Sequence, residues 1–171
     1  DVIMWNGAGW SNESAHWVYI APSVATAYTI TTTSGTGGAI SPSGDVLVTQ
    51  GNTQTFTFTP NKGYDVASVI VDGVNKGALS TYTLTNVTSA HTISATFAVK
   101  TFLLTSSAGT GGSITPSATV TYGGSKTFTI TPNTGYSISR VTVDGINQGV
   151  VGTYTFSNVT YGTTPGCETG G

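Results

Sequence analysis

Apolar and polar residues alternate one for one in short runs along most of the chain. In residues 55–59, Phe56 and Phe58 alternate with three threonines. A period of two residues places one set of side chains on each face of a β-strand. The runs are bounded by Pro-Asn-x-Gly and Asp-Gly sequences, which favour turns. Since no run of the sequence has apolar residues at helical spacing, the pattern predicts an all-β chain of short strands.

The alternating pattern occurs twice in the sequence, with matched residues 72 positions apart. Residues 55–64, TFTFTPNKGY, reappear as TFTITPNTGY at residues 127–136, and VIVDG at 69–73 reappears as VTVDG at 141–145. A unit of this length is close to the lower limit for a domain with its own core. We therefore predict two tandem, small β-sandwich-like repeat domains, each with five to six short, mostly antiparallel strands.

The domain boundaries follow from where the pattern begins and stops. They give an N-terminal Trp-rich extension at 1–26, a first repeat at 27–99, a second repeat at 100–160 and a Gly-rich tail at 161–171. The last predicted strand of the first repeat begins at His91. After Thr160 the alternation ends, and Pro165 with four glycines opposes a strand. We therefore expect the second repeat to lack its closing strand.

The N-terminal extension carries a segment that resembles this missing strand. Ser-Ala-His at residues 14–16 repeats Ser-Ala-His at residues 89–91. A strand missing from a sheet leaves backbone groups that another chain can pair with. We hypothesise that residues 14–28 of one copy fill the gap beside residues 153–160 of the next copy, which would build a fibre head to tail. The predicted subunit contacts are Trp5, Trp10, His16, Trp17, Val18, Ile20, Tyr154 and Phe156.

Two other interpretations remain open at this point. The chain can be a fragment of a longer array, in which neighbouring repeats take the place of other copies. Alternatively, exposed aromatic rings can form a stacking platform for surface glycans. The candidates for such a platform are Trp5, Trp10, Tyr122 and Tyr161.

Charge narrows the range of partners. Only 7% of the residues are charged, with five basic and seven acidic side chains. This composition offers no basic patch for a phosphate backbone, so we expect no nucleic-acid partner. No apolar run approaches the ~20 residues of a transmembrane helix, and residues 1–20 do not resemble a signal peptide. We expect no membrane insertion.

Few residues are suited to chemistry. His16 and His91 occupy matched positions, and no carboxylate, cysteine or second histidine lies beside them in sequence. A structural role at a sheet edge is therefore expected, with no enzymatic activity, cofactor or metal.

Two kinds of covalent modification are indicated. Asn86 and Asn158 each begin an Asn-Val-Thr sequon for glycosylation. Cys167 is the single cysteine. It is either a free thiol or an intermolecular thiol that forms a disulfide between chains.

Several motifs recur in order in both repeats: Gly-Gly-x-Ile, Pro-Ser, Thr-Phe-Thr-x-Thr-Pro-Asn-x-Gly-Tyr, Val-x-Val-Asp-Gly and a Thr-Tyr-Thr-x-x-Asn-Val-Thr segment. Together they resemble the divergent InlB B-repeat family of bacterial surface proteins, over roughly residues 27–160. The resemblance implies small β-rich modules of secreted or cell-surface proteins, which serve as spacers, stalks or adhesive modules. It implies an extracellular location and brings no catalytic residues.

Overall fold

The computed structural model describes residues 25–162 and 165–170 of the chain. Within these residues the secondary structure consists of strands, turns and bends. The described part of the chain includes no helix long and apolar enough to cross a bilayer. The prediction of an all-β chain with two repeat domains is confirmed.

The first repeat consists of two sheets. Its strands are β1 (Ala27–Ser34), β2 (Gly38–Ser41), β3 (Asp45–Thr49), β4 (Gln54–Pro60), β5 (Tyr64–Val71), β6 (Val74–Gly77), β7 (Thr81–Leu84) and β8 (His91–Val99). A five-stranded sheet has the order β3-β1-β8-β5-β6, and a three-stranded sheet has the order β2-β4-β7. The closing strand β8 lies inside the larger sheet, parallel to β1 and antiparallel to β5.

The second repeat follows the same plan with one strand divided. Its strands are β9 (Thr101–Leu104), β10 (Ser107–Ala108), β11 (Gly112–Ile114), β12 (Ala118–Thr121), β13 (Lys126–Pro132), β14 (Ser137–Val143), β15 (Ile146–Gly149), β16 (Thr153–Phe156) and β17 (Pro165–Gly170). The counterpart of β1 is divided into β9 and β10. The larger sheet therefore has two parts, with the orders β12-β9 and β10-β17-β14-β15. The smaller sheet has the order β11-β13-β16.

The alternating residues form the cores as the sequence predicted. Phe56 and Phe58 are buried between the sheets of the first repeat, and Phe128 and Ile130 are buried at the same positions of the second. The threonines that alternate with them lie outside and pair across strands. The hydroxyls of Thr55 and Thr83 are 2.9 Å apart in the first repeat. Their counterparts in the second repeat are 2.8 Å apart.

Each repeat has more strands than the five or six predicted. In the first repeat, the short strands β2 and β6 account for the difference. All four residues of β6 are exposed, so it carries no apolar alternation. Backbone pairing with β5 after the Asp-Gly turn defines it instead.

The prediction that the second repeat lacks a closing strand is wrong. β17 pairs antiparallel with β14 and parallel with β10, within the segment that was assigned to a Gly-rich tail. Pro165 is the first residue of this strand, a position at which a missing N–H is tolerated. The main-chain groups of both neighbours are enough to define the strand without an apolar pattern.

The predicted place of the gap is also wrong. Residues 153–160 include β16, which pairs with β13 in the smaller sheet. In both repeats the closing strand lies on the other sheet, beside β5 or β14. The chain crosses from one sheet to the other after β7 and after β16, which short alternating patterns do not reveal.

Candidate functional site: the closing strand and the repeat junction

An aspartate and a histidine fasten the start of the closing strand in the first repeat. Asp72 lies in the Asp-Gly turn after β5, with a left-handed φ of 49°. Its carboxylate lies 2.7 Å from His91 Nδ1 and accepts the N–H of Thr92 at 2.8 Å. The N–H of Asp72 donates in turn to the carbonyl of Thr92 at 3.0 Å. We call this arrangement the Asp–His latch.

The latch stabilises the ionised carboxylate. Burial raises the pKa of the Asp72 carboxyl, but the N–H of Thr92 and the ring of His91 more than offset this effect. The pKa of Asp72 consequently lies below its ordinary value. The sequence did not reveal the pair, because its two members are 19 positions apart along the chain.

Ser89 extends the latch into a chain of three polar groups. Its hydroxyl lies 3.5 Å from His91 Nε2, which is at the outer limit of a hydrogen bond. The order Ser, His, Asp is that of a nucleophile, a base and the group that orients the base. All three side chains are at the surface of the first repeat, and none lines the groove described below.

In the second repeat the closing strand has fewer pairing partners. β8 pairs with β1 over five residues, whereas β17 pairs with β10 over two. On the other side, the register of β17 with β14 matches that of β8 with β5, including the irregularity between Ile138 and Arg140. Position by position, Pro165, Cys167 and Thr169 stand where the first repeat has Ile93, Ala95 and Phe97.

This comparison shows that β17 is the less apolar closing strand. Ile93 and Ala95 are each 1% exposed in the core of the first repeat, and Phe97 packs against that core. Full burial of an isoleucine or phenylalanine side chain contributes about 1.5–3 kcal/mol. At two of these three positions the sequence of β17 has a proline and a threonine, in place of an isoleucine and a phenylalanine.

The second repeat has an aspartate at the same place in its Asp-Gly turn. Asp144 follows β14 in the same Asp-Gly turn and has a φ of 48°, against 49° for Asp72. Along the sequence, Thr163 lies two residues before Pro165, as His91 lies two residues before Ile93. The sequence Ser-Ala-His occurs once more, at residues 14–16.

The two repeats join without a linker. β8 ends at Val99 and β9 begins at Thr101, so Lys100 alone lies between them. Its N–H donates to the carbonyl of Gly63 at 2.8 Å, and its carbonyl accepts the N–H of Tyr122 at 2.8 Å. Lys100 Nζ lies 3.3 Å from a carboxylate oxygen of Asp65. These contacts fix the junction to both repeats.

Tyr122 packs directly on the turn of the first repeat. A Cβ placed on Gly63 would lie 2.4 Å from Cδ1 of the tyrosine ring. Gly63 has a φ of +84°, a conformation that favours glycine. Gly135, its counterpart in the second repeat, has a φ of +87° and nothing within 4 Å of the same Cβ position.

An open groove lies along this junction. It has a volume of about 540 Å³ and is lined by aromatic, amide and ammonium groups. Tyr64, Phe102 and Tyr122 contribute rings, and Lys62 and Lys100 contribute the charge. The mixture of ring surface and polar groups is suited to a polar ligand.

The predicted site residues fall into two groups. Tyr154 and Phe156 lie on β16, where the two rings are 4.9 Å apart and Phe156 packs edge-on against Phe128. Trp5, Trp10, His16, Trp17, Val18 and Ile20 lie outside the described residues. Cys167 is on β17, opposite Val141 in register.

The remaining predicted residues have local roles. Asn86 and Asn158 are exposed and have left-handed φ values of 50° and 52°, which asparagine tolerates better than most residues. Their glycosylation stays a prediction. Tyr161 is 65% exposed. No group of three or more metal-ligating side chains comes together within the described ranges.

Comparison with known proteins agrees with the two-repeat architecture. A family model described as the divergent InlB B-repeat domain matches residues 28–101 and again residues 102–165. The chain belongs to the divergent InlB B-repeat family. The resemblance predicted from the sequence is thereby confirmed. Divergent InlB B-repeats are associated with bacterial surface proteins. No curated protein and no solved structure matches the chain.

Proposed function

We propose that the chain is a non-catalytic structural unit of an extracellular surface protein, acting as a stalk or as a fibre subunit. The observation that carries this proposal is the junction. One residue separates the repeats, and the backbone of Lys100 is hydrogen-bonded to both of them. With Tyr122 packed on Gly63, the junction resists bending as a spacer requires.

The fibre version adds strand donation between copies. Residues within 14–26 of one copy take the place of the closing strand in the second repeat of another, since Ala27 and Tyr28 belong to β1 of their own copy. Repetition of this head-to-tail contact gives a filament. Two observations support it. The closing strand β17 is short and pairs with β10 over only two residues, and the extension repeats the Ser-Ala-His start of β8.

Two deletions test the fibre. Removal of residues 1–20 takes away His16, Val18 and Ile20 of the donor segment, whereas removal of residues 1–13 leaves them in place. At neutral pH we expect filaments by electron microscopy and fast-sedimenting species for the full chain and for the shorter deletion. The longer deletion should be monomeric. Unchanged assembly of the longer deletion, or a monomeric full chain, contradicts the fibre.

The Asp–His latch has a structural role in this proposal. Asp72 binds the backbone N–H of Thr92 as well as the ring of His91, and both contacts fix the start of β8. We propose no reaction for Ser89, since its distance to the ring is 3.5 Å. A structural role predicts that Ser89→Ala leaves the stability of the first repeat almost unchanged, whereas Asp72→Ala lowers it.

A glycan-binding module is the alternative function, and the junction groove is the observation that favours it. Tyr122 lines the groove together with Lys62 and Lys100, and aromatic rings with nearby polar groups suit sugar stacking. Binding on a glycan array that is lost in Tyr122→Ala, but kept in the control Tyr161→Ala, would support this function. An array without any binding would remove it.

A further inference from the structure

We propose that assembly replaces β17 of one copy by residues 16–21 of another, in a register set by a His16–Asp144 latch. This inference deepens the proposed fibre and rests on it. Three observations define it: the register of β8, the composition of β17 and the spacing between closing strand and next repeat.

The register of β8 assigns a partner to each donor residue. When His16 is placed where His91 stands, Val18 takes the place of Ile93 and Ile20 that of Ala95. These two first-repeat positions are in the core, each 1% exposed. In the second repeat they lie opposite Val143 and Val141, which are themselves core residues.

The donor is the more apolar of the two strands that can occupy this position. At the two positions opposite Val143 and Val141 the donor supplies Val18 and Ile20, where the sequence of β17 has Pro165 and Cys167. The next position along the strand is Pro22 in the donor and Thr169 in β17. Replacement exchanges one set of backbone hydrogen bonds for another, so the side chains decide which strand is retained.

The latch selects the register. A strand that slips by one residue turns its core residues to the opposite face. Asp144 has the backbone conformation of Asp72, so a histidine at the first position of the donor meets the geometry that His91 meets in the first repeat. The sequence of the second repeat has Thr163 two residues before Pro165, whereas the donor supplies His16 there.

The spacing after the donor strand fits the same arrangement. Phe102, the residue of β9 that pairs with Val120, lies eleven positions after His91. Tyr28, which holds the matched position opposite Val48, lies twelve positions after His16. A donated strand can therefore lead directly into the next copy's β1. The contact between copies then reproduces the junction within one copy.

The junction contact has a receiving surface as well. The turn at Gly135 matches the turn at Gly63 on which Tyr122 packs, and nothing lies within 4 Å of its Cβ position. Gln50 of the next copy stands at the position matched to Tyr122, two residues after the inward valine of β3. The polymer therefore places Gln50 on the turn at Gly135.

Cross-linking by paired cysteines tests the register. The natural thiol is first removed by Cys167→Ser. Tyr19→Cys in the donor and Thr142→Cys in β14 then place two thiols directly opposite each other on the outer side of the sheet. The matching pair in the first repeat is Ser94 and Ile70. Opposed strand residues have Cα atoms about 5.5 Å apart, within the range of a disulfide. The control pairs Tyr19→Cys with Ser139→Cys, which is exposed and lies three residues, or about 10 Å, along the strand.

Oxidation of assembled protein should give a ladder of covalent oligomers for the first pair, at least ten times stronger than for the control. Filaments without a ladder, or with equal ladders for both pairs, overturn the register while the fibre proposal stands. If all variants and the Cys167→Ser parent are monomeric, the fibre proposal is overturned, and this inference with it. His16→Ala in the cross-linking background should reduce the ladder, and Asp144→Asn should reduce it in the same way.

Discussion

The junction between the repeats can be tested at one glycine. Substitution of Gly63 by alanine has two effects, because the residue has a φ of +84° and the new Cβ would lie 2.4 Å from the Tyr122 ring. Gly135 provides a matched control in the second repeat. Its φ is +87° and its Cβ position has no neighbour within 4 Å, so alanine there meets only the backbone effect.

The two effects have separable magnitudes. A left-handed backbone costs an alanine about 1–2 kcal/mol relative to glycine. Forcing a methyl group against a packed ring costs about 1–3 kcal/mol more. We therefore expect Gly63→Ala to lower the free energy of unfolding by about 2–5 kcal/mol, against about 1–2 kcal/mol for Gly135→Ala. The difference measures the packing of one repeat on the other.

Urea denaturation followed by circular dichroism measures both values, at concentrations at which sedimentation shows a monomer. Tyr122→Ala completes a double-mutant cycle with Gly63→Ala. Once the ring is removed, the effect of Gly63→Ala should fall to that of Gly135→Ala. Equal losses for the two glycine variants, or a loss at Gly63 that persists without the ring, would refute the packed junction.

Three further predictions concern the core, the latch and the closing strand. Phe56→Ala should destabilise the first repeat by about 3–5 kcal/mol in the same denaturation assay, because it leaves a cavity at a fully buried position. The stability that Asp72 contributes should be complete above its ordinary pKa of 3.8 and be lost as the pH falls through the lower pKa of the folded chain. Asp72→Asn should remove this acid dependence, and an unchanged acid transition would contradict it. Deletion of residues 163–171 should speed filament growth seeded by preformed filaments, whereas slower growth would show that β17 is needed for assembly.

The sequence was sufficient to predict the two repeats and the residues of their cores. Strict alternation at Phe56 and Phe58 identifies a strand with one buried face, because a period of two has no helical counterpart. The Asp-Gly turns were equally clear, since Asp72 and Asp144 have the left-handed backbone that such turns require. Local rules of this kind need no knowledge of distant residues.

The closing strand of the second repeat could not be predicted in this way. β17 has Pro165 at its start and glycines at its second and last positions, and propensity rules assign such a segment to a loop. Its position between β10 and β14 is determined by backbone groups that are far away in sequence. The latch was missed for the same reason, because Asp72 and His91 meet only after β8 inserts into the sheet.

In the proposed fibre, the closing strand of the second repeat has a physical consequence. While β17 is in place, the main-chain groups of β14 are paired and the sheet edge cannot join unrelated strands. The donor strand can displace β17 only if its side chains and the proposed His16–Asp144 contact bind more favourably, since the backbone hydrogen bonds are merely exchanged. Burial of valine and isoleucine offers about 1.5–3 kcal/mol each, which is small beside the entropy lost on association. A stable filament therefore also needs contacts at the junction between copies. The donated strand and the turn at Gly135, on which the next copy packs, then stabilise the filament together.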